Sequence, residues 1–288
     1  MLTPSDDMHL NSSFIATDGR HIAVRDWLLE PGQALHGTVV LVHGLGEHMG
    51  RYNHVARRLN HWGFAVRGYD QFGHGESEGA RGGLPTSTRL LDDLAEIIDS
   101  TRAAMAPGQP LILLGHSLGG LVTARFVSLG MRPVQGLVLS SPVLDPGLNA
   151  FQKFLLSFLP DIVPDLRVGN GLDVSKLSHD PKIIDAYKAD PLVHDRICGR
   201  LARFIADAGE ATLARAAQWQ VPTLLMYAGQ DALVNPAGSA IFADAAPDEV
   251  VEVHCFEKLF HELFNEVDRE SVFNQLGRWL DARFSNEG

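Results

Sequence analysis

Short apolar runs alternate along this chain with segments whose apolar residues recur at helical spacing. The runs are Thr38–Val42, Phe64–Tyr69, Leu111–Leu114, Gly136–Leu139, Thr223–Tyr227 and Val250–Phe256. Between them, Val55, Leu59 and Trp62 share one helical face, as do Leu90, Leu91, Leu94, Ile97 and Ile98. A strand reads as unbroken apolar sequence when both of its faces are covered, the situation of a parallel sheet with helices on each side. The alternation therefore predicts an α/β chain built on a mostly parallel central sheet. Thr17-Asp18-Gly19-Arg20, set between Ser12–Ala16 and His21–Asp26, predicts a hairpin that adds antiparallel strands at one edge.

One stretch breaks the rhythm. From Asp145 to about Trp219 there are helix-like pieces but no clear buried strand. We read it as an inserted helical cap, which divides the chain into core (1–144), cap (145–219) and core again (220–288). The cap opens with Phe151, Phe154, Leu155, Phe158 and Leu159 on one wide stripe. Such a stripe suits a lid lining an acyl tunnel and touching a membrane or micelle, or equally a helix packed on its own domain.

Charge narrows the partners. Lys and Arg number 24 against 35 Asp and Glu, a net charge of −11. That argues against nucleic acid, which would want a basic face, and against broad attraction to anionic membranes. Cys198 and Cys255 lie far apart and form neither a zinc spacing nor a disulfide framework, which fits a reducing cytoplasm. Met1–Leu10 lacks the basic and apolar regions of a signal peptide, and no apolar run is long enough to predict a transmembrane helix.

The chemistry centres on Gly115-His116-Ser117-Leu118-Gly119, placed directly between a predicted strand and a predicted helix. The motif is short and weak alone. Its context makes it a nucleophile elbow, with Ser117 as the nucleophile and the helix N-terminus aimed at the reacting oxygen. A serine hydroxyl needs a base, and the base needs an orienting acid. In this architecture the order is Ser, acid, His. His261 follows the last strand and is the candidate base; His254, inside that strand, is its rival. Asp231, on the loop after Thr223–Tyr227, is the candidate acid, with Asp145 as the alternative. The oxyanion requires two backbone N–H donors: Leu118, next to the nucleophile, and Leu45, in the Gly44-Leu45-Gly46 loop after Thr38–Val42. His43, His74 and His116 read as structural. No metal site is expected, and no dinucleotide fingerprint is present.

Four segments carry a family resemblance: HGLGEHMGRY at 43–52, YDQFGHGESEG at 69–79, GHSLGG at 115–120, and the pair GQDALV and FHELFNE around Asp231 and His261. On these the chain resembles the α/β-hydrolase superfamily, and within it the monoacylglycerol lipase and lysophospholipase branch of serine aminopeptidase S33-like hydrolases. The resemblance implies an α/β-hydrolase fold and hydrolysis of a small lipid ester, a monoacylglycerol above all, through an acyl-enzyme and without a cofactor. Lysophospholipids, other carboxylic esters and thioesters are the alternative substrates. A non-catalytic receptor for a small ligand is the alternative of another class. The resemblance also implies that Glu47 and Arg51 help line the alcohol-binding end, although an ion pair holding their own loop would explain them too. Some branch members carry a further histidine three positions after the catalytic one; here that position is Phe264, a departure from the pattern.

Overall fold

The computed structural model describes residues 9–147, 156–158 and 160–285. The hairpin forms as expected, from β1 (Leu10–Ile15) and β2 (His21–Trp27). The apolar runs become β3 (Gly37–Val42), β4 (Phe64–Tyr69), β5 (Leu111–His116) and β6 (Gly136–Ser140). Later come β9 (Thr223–Ala228) and β10 (Val251–Phe256). Together they make one eight-stranded sheet of order β1-β2-β4-β3-β5-β6-β9-β10. Both β1–β2 and β2–β4 pair antiparallel, and every other neighbouring pair is parallel.

Successive side chains of a strand point to opposite faces, so each unbroken apolar run feeds two cores. Val40, Val42, Leu113 and Leu139 face one cluster, covered by α2 (Arg89–Ala104) and α3 (Leu118–Ser128). Val39, Leu41, Ile112 and Leu114 face the other, covered by α1 (Asn53–His61) and a C-terminal helix over Arg269–Phe284. Both faces being dry explains why these strands read as continuous rather than alternating.

The segment between β6 and β9 carries α4 (Pro181–Ala189) and α5 (Gly199–Leu213). Asp180 accepts from the Lys182 N–H and Pro181 takes the first helical position, both ordinary start signals. The segment also holds a small antiparallel pair, β7 (Arg167–Gly169) with β8 (Arg196–Cys198). Each is three residues long, β7 exposed and β8 running from exposed Arg196 to buried Cys198, so no apolar run announced it. Leu201, Phe204, Ile205 and Ala208 of α5 join the same buried cluster as α3. Of the expected apolar stripe, Phe151, Phe154, Leu155 and Leu159 lie outside the described residues, and Phe158 is exposed. Two further helices complete the core: α6 (Pro236–Ala245), and the C-terminal helix, α7.

Candidate active site at the carboxyl ends of the strands

The strand order reverses direction between β3 and β5, and open α/β sheets build their sites at the carboxyl ends of strands flanking such a point. Ser117 stands there, between β5 and α3, with φ +53° and ψ −115°. A positive φ on a non-glycine residue is a strained conformation that persists only where its surroundings impose it. Here the Ser117 N–H donates to Ser140 O at 3.0 Å, and its carbonyl accepts from the N–H groups of Leu121 and Val143. The flanking glycines permit the close approach: a Cβ on Gly119 would lie 2.1 Å from Val42 O, and one on Gly115 would lie 2.4 Å from Gly119 O. The first N–H groups of α3 have no intrahelical acceptor and carry the positive end of the helix dipole.

His261 lies on the loop after β10, and its Nδ1 is 2.6 Å from Asp231 Oδ2, on the loop after β9. The other oxygen of Asp231 accepts from the N–H groups of Leu233 and Val234, each at 2.9 Å. Burial opposes the charge on Asp231, but His261 and these two N–H groups outweigh it and hold its pKa below the ordinary value. An ionised carboxylate only accepts, so the proton resides on His261 Nδ1 and Nε2 is left as an acceptor. Burial also works against the imidazolium, yet Asp231 overcomes it and raises the His261 pKa. The neighbour of Ser117, His116, lies with its ring centroid 4.8 Å from that of His261. Burial and the nearby His261 push His116 down to about 4, so it is neutral at neutral pH. The rivals have other partners. Asp145 accepts from the Gly147 N–H and from Asn235 Nδ2, and His254 packs against Phe256 within β10.

The loop after β3 presents Leu45, half-buried, beside the elbow. A Cβ on Gly44 would come within 3.2 Å of Ser117 Cβ, so this loop and the serine are in near contact. Its shape is set by buried hydrogen bonds. The Gln71 N–H donates to His43 Nε2, so His43 Nδ1 carries the proton and donates to Gly44 O at 2.7 Å. Burial lowers the His43 pKa, in keeping with this neutral, structural part. Asp70, directly after β4, accepts from the N–H groups of Met49 and Glu76 and thereby joins the loop over 73–79 to the loop after β3.

Glu47 and Arg51 are both engaged within the protein. Glu47 Oε1 accepts from the Gly44 N–H and the Tyr52 hydroxyl, each at 2.6 Å, and Arg51 Nη1 donates to Oε2. Burial disfavours the Glu47 charge, but Arg51 more than compensates, and its pKa falls to about 2. Arg51 also makes a two-pronged contact with Glu262, at 2.7 and 2.8 Å, and its guanidinium lies 4.7 Å from the ring centroid of Tyr187 on α4. The ion pair weighed from sequence is thus present, within a larger cluster. Glu262 was missed, although its position directly after His261 was a usable signal. Tyr187 carried no local signal. His48, unassigned from sequence, meets Asp190 at 2.8 Å.

The family pattern described as "Serine aminopeptidase, S33" of the hydrolases matches residues 33–268. The chain belongs to this family. Within it, the Mycolicibacterium smegmatis monoacylglycerol lipase is 32% identical over 271 residues, 93% of this chain and 95% of that one. An uncharacterized abhydrolase domain-containing protein of Dictyostelium discoideum is 30% identical over 279 residues; the chain spans 96% of its own length there but 29% of the relative's. Among solved structures, Paleococcus ferrophilus monoacylglycerol lipase superposes with a TM-score of 0.80 at 34% identity, covering 92% of this chain and 99% of that one. The fold is the α/β-hydrolase fold, and the chain is a hydrolase of esters.

Proposed function

We propose that this hydrolase cleaves monoacylglycerols to fatty acid and glycerol, with Ser117, His261 and Asp231 as its triad. The observation that carries the triad is the Asp231–His261 contact at the strand ends beside the strained Ser117 elbow. The substrate class rests on similarity to monoacylglycerol lipases along nearly the whole chain. His261 Nε2 takes the Ser117 hydroxyl proton as Oγ attacks the ester carbonyl. The N–H groups of Leu45 and Leu118 hold the oxyanion, and His261 returns the proton to the departing glycerol oxygen. Water, activated by the same imidazole, then opens the acyl-enzyme, and Ser117 regains its proton.

Glu47 and Arg51 act on the alcohol end indirectly, because their polar groups are engaged in shaping the loop that bears Leu45. Residues 145–219 serve as a cap. Exposed Ile162, Leu166, Val168 and Leu172 are the face that meets lipid aggregates. No helix among the described residues is long and apolar enough to cross a membrane. The free cysteines suit the cytoplasm.

The test is kcat/KM on a medium-chain monoacylglycerol and on the methyl ester of the same acid, with Ser117→Ala as blank. A large glyceride preference that vanishes in the blank is expected. Equal rates would replace the lipase reading by a general esterase. Turnover of neither ester, but of lysophospholipids, thioesters or amides, would move the substrate class. Turnover of none of these would leave the receptor alternative.

A further inference from the structure

We propose that Glu262 is a positioning residue that locks the base loop and the oxyanion loop into one body through Arg51 and Glu47. The proposal rests on the triad reading above. The two loops leave β10 and β3, which stand four strand positions apart in the sheet, roughly 19 Å at the usual interstrand spacing. Sheet geometry alone therefore does not fix His261 against the Leu45 N–H to the precision a transition state demands. A connected path does. The Glu262 carboxylate takes both prongs of Arg51 at 2.7 and 2.8 Å, and Arg51 donates to Glu47. Glu47 in turn accepts the Gly44 N–H at 2.6 Å, one residue before Leu45.

The start of the path is itself anchored. The Glu262 N–H donates to Leu177 O, and Asn265 Nδ2 donates to Glu262 Oε2 at 2.8 Å. Glu47 and Glu262 are 2% and 4% exposed, so the path is shielded from solvent and salt. Two carboxylates on one guanidinium leave a negative charge in excess. That charge favours the imidazolium formed during attack; after Asp231, Glu262 and Glu47 are the groups that raise the His261 pKa. Burial is the opposing influence, and neutral His116 is the other ring in contact.

The test variant is Glu262→Gln, which keeps shape and removes charge. The readouts are the rate of fluorophosphonate labelling of Ser117, which involves no glyceride, and kcat and KM on the ester, each per labelled site. Labelling rate and kcat are expected to fall about 10- to 100-fold, as for misplacement of reacting groups by about 1 Å, with KM nearly unchanged. The acid limb of the pH–rate profile should move down by about one unit, because the imidazolium loses a nearby negative charge. Glu47→Gln reads the same path from its other end should Glu262→Gln fold poorly, and the double variant should lose far less than the product of the singles. Glu270→Gln, the same charge change in the exposed Arg58–Glu270 pair, should leave all of this unchanged. Wild-type labelling rate and an unmoved acid limb in both Gln variants would overturn the proposal. A wild-type protein that does not label at all would overturn the triad reading and this one with it.

Discussion

The strand-end loops and the outer part of the segment between β6 and β9 handle burial in opposite ways. At the loops, charged groups are buried and each is matched: Asp231 by His261 and two N–H groups, Glu47 and Glu262 by Arg51. In that outer part Ile162, Leu166, Val168 and Leu172 are left in solvent, with Ile162 at 70% and Leu166 at 58% exposure. Buried, paired charges are costly to disturb, since removing one partner strands the other and typically loses about 3–5 kcal/mol. Exposed apolar groups are cheap to change and gain energy only when something covers them. One region is built to keep one geometry; the other, in the function proposed above, is the face that meets a lipid aggregate.

The sharpest way to break this contrast is Asp231→Asn. It should lower kcat by about 10⁴ by favouring the wrong imidazole tautomer, with the fold intact by circular dichroism. Asp145→Asn, which alters only a turn and its tie to Asn235, should stay near wild type. The reverse result would move the acid to the other loop. A smaller effect is read by pH. His261 must be neutral to accept the serine proton, and its pKa is raised, so kcat/KM should fall about tenfold per unit below a limb lying above 6.5. The sign for stability is opposite. A raised histidine pKa contributes stability at low pH that is lost as pH rises through the folded value, so the pair becomes catalytically competent in the range where its stabilisation declines. A limb below 6.5 would show that burial outweighs Asp231. The smallest effect belongs to the outer segment. Ile162→Ser with Leu166→Ser should change stability by less than about 0.5 kcal/mol and leave a soluble ester unaffected, while turnover of vesicle-borne monoacylglycerol falls several-fold. Equal loss on both substrates would remove the distinction between the two regions.

Much of the site could be read along the chain because its signals are local. Gly115, Ser117 and Gly119 sit within five residues, and the elbow they form needs only the turn between β5 and α3. His261 and Asp231 are proposed from order and from their places after apolar runs, because strand ends are where a parallel sheet delivers its loops. The sequence favours Asp231 over Asp145 on strand order, and the 2.6 Å contact with His261 supports that reading. The β7–β8 pair was not legible, since strands of three residues are too short to show a periodicity.

The sequence by itself determined the α/β class, the parallel sheet with a hairpin at its edge, the elbow and the family. These follow from periodicity, turn chemistry and short motifs, all of them near-neighbour properties. Only the tertiary structure decided what Arg51 does. Its partners Glu47, Glu262 and Tyr187 are separated by up to 215 positions along the chain and come together only because β3, β10 and α4 converge on one end of the sheet. Long-range charge pairing leaves no periodic trace, because its energy depends on distance and burial, which exist only once the chain has folded.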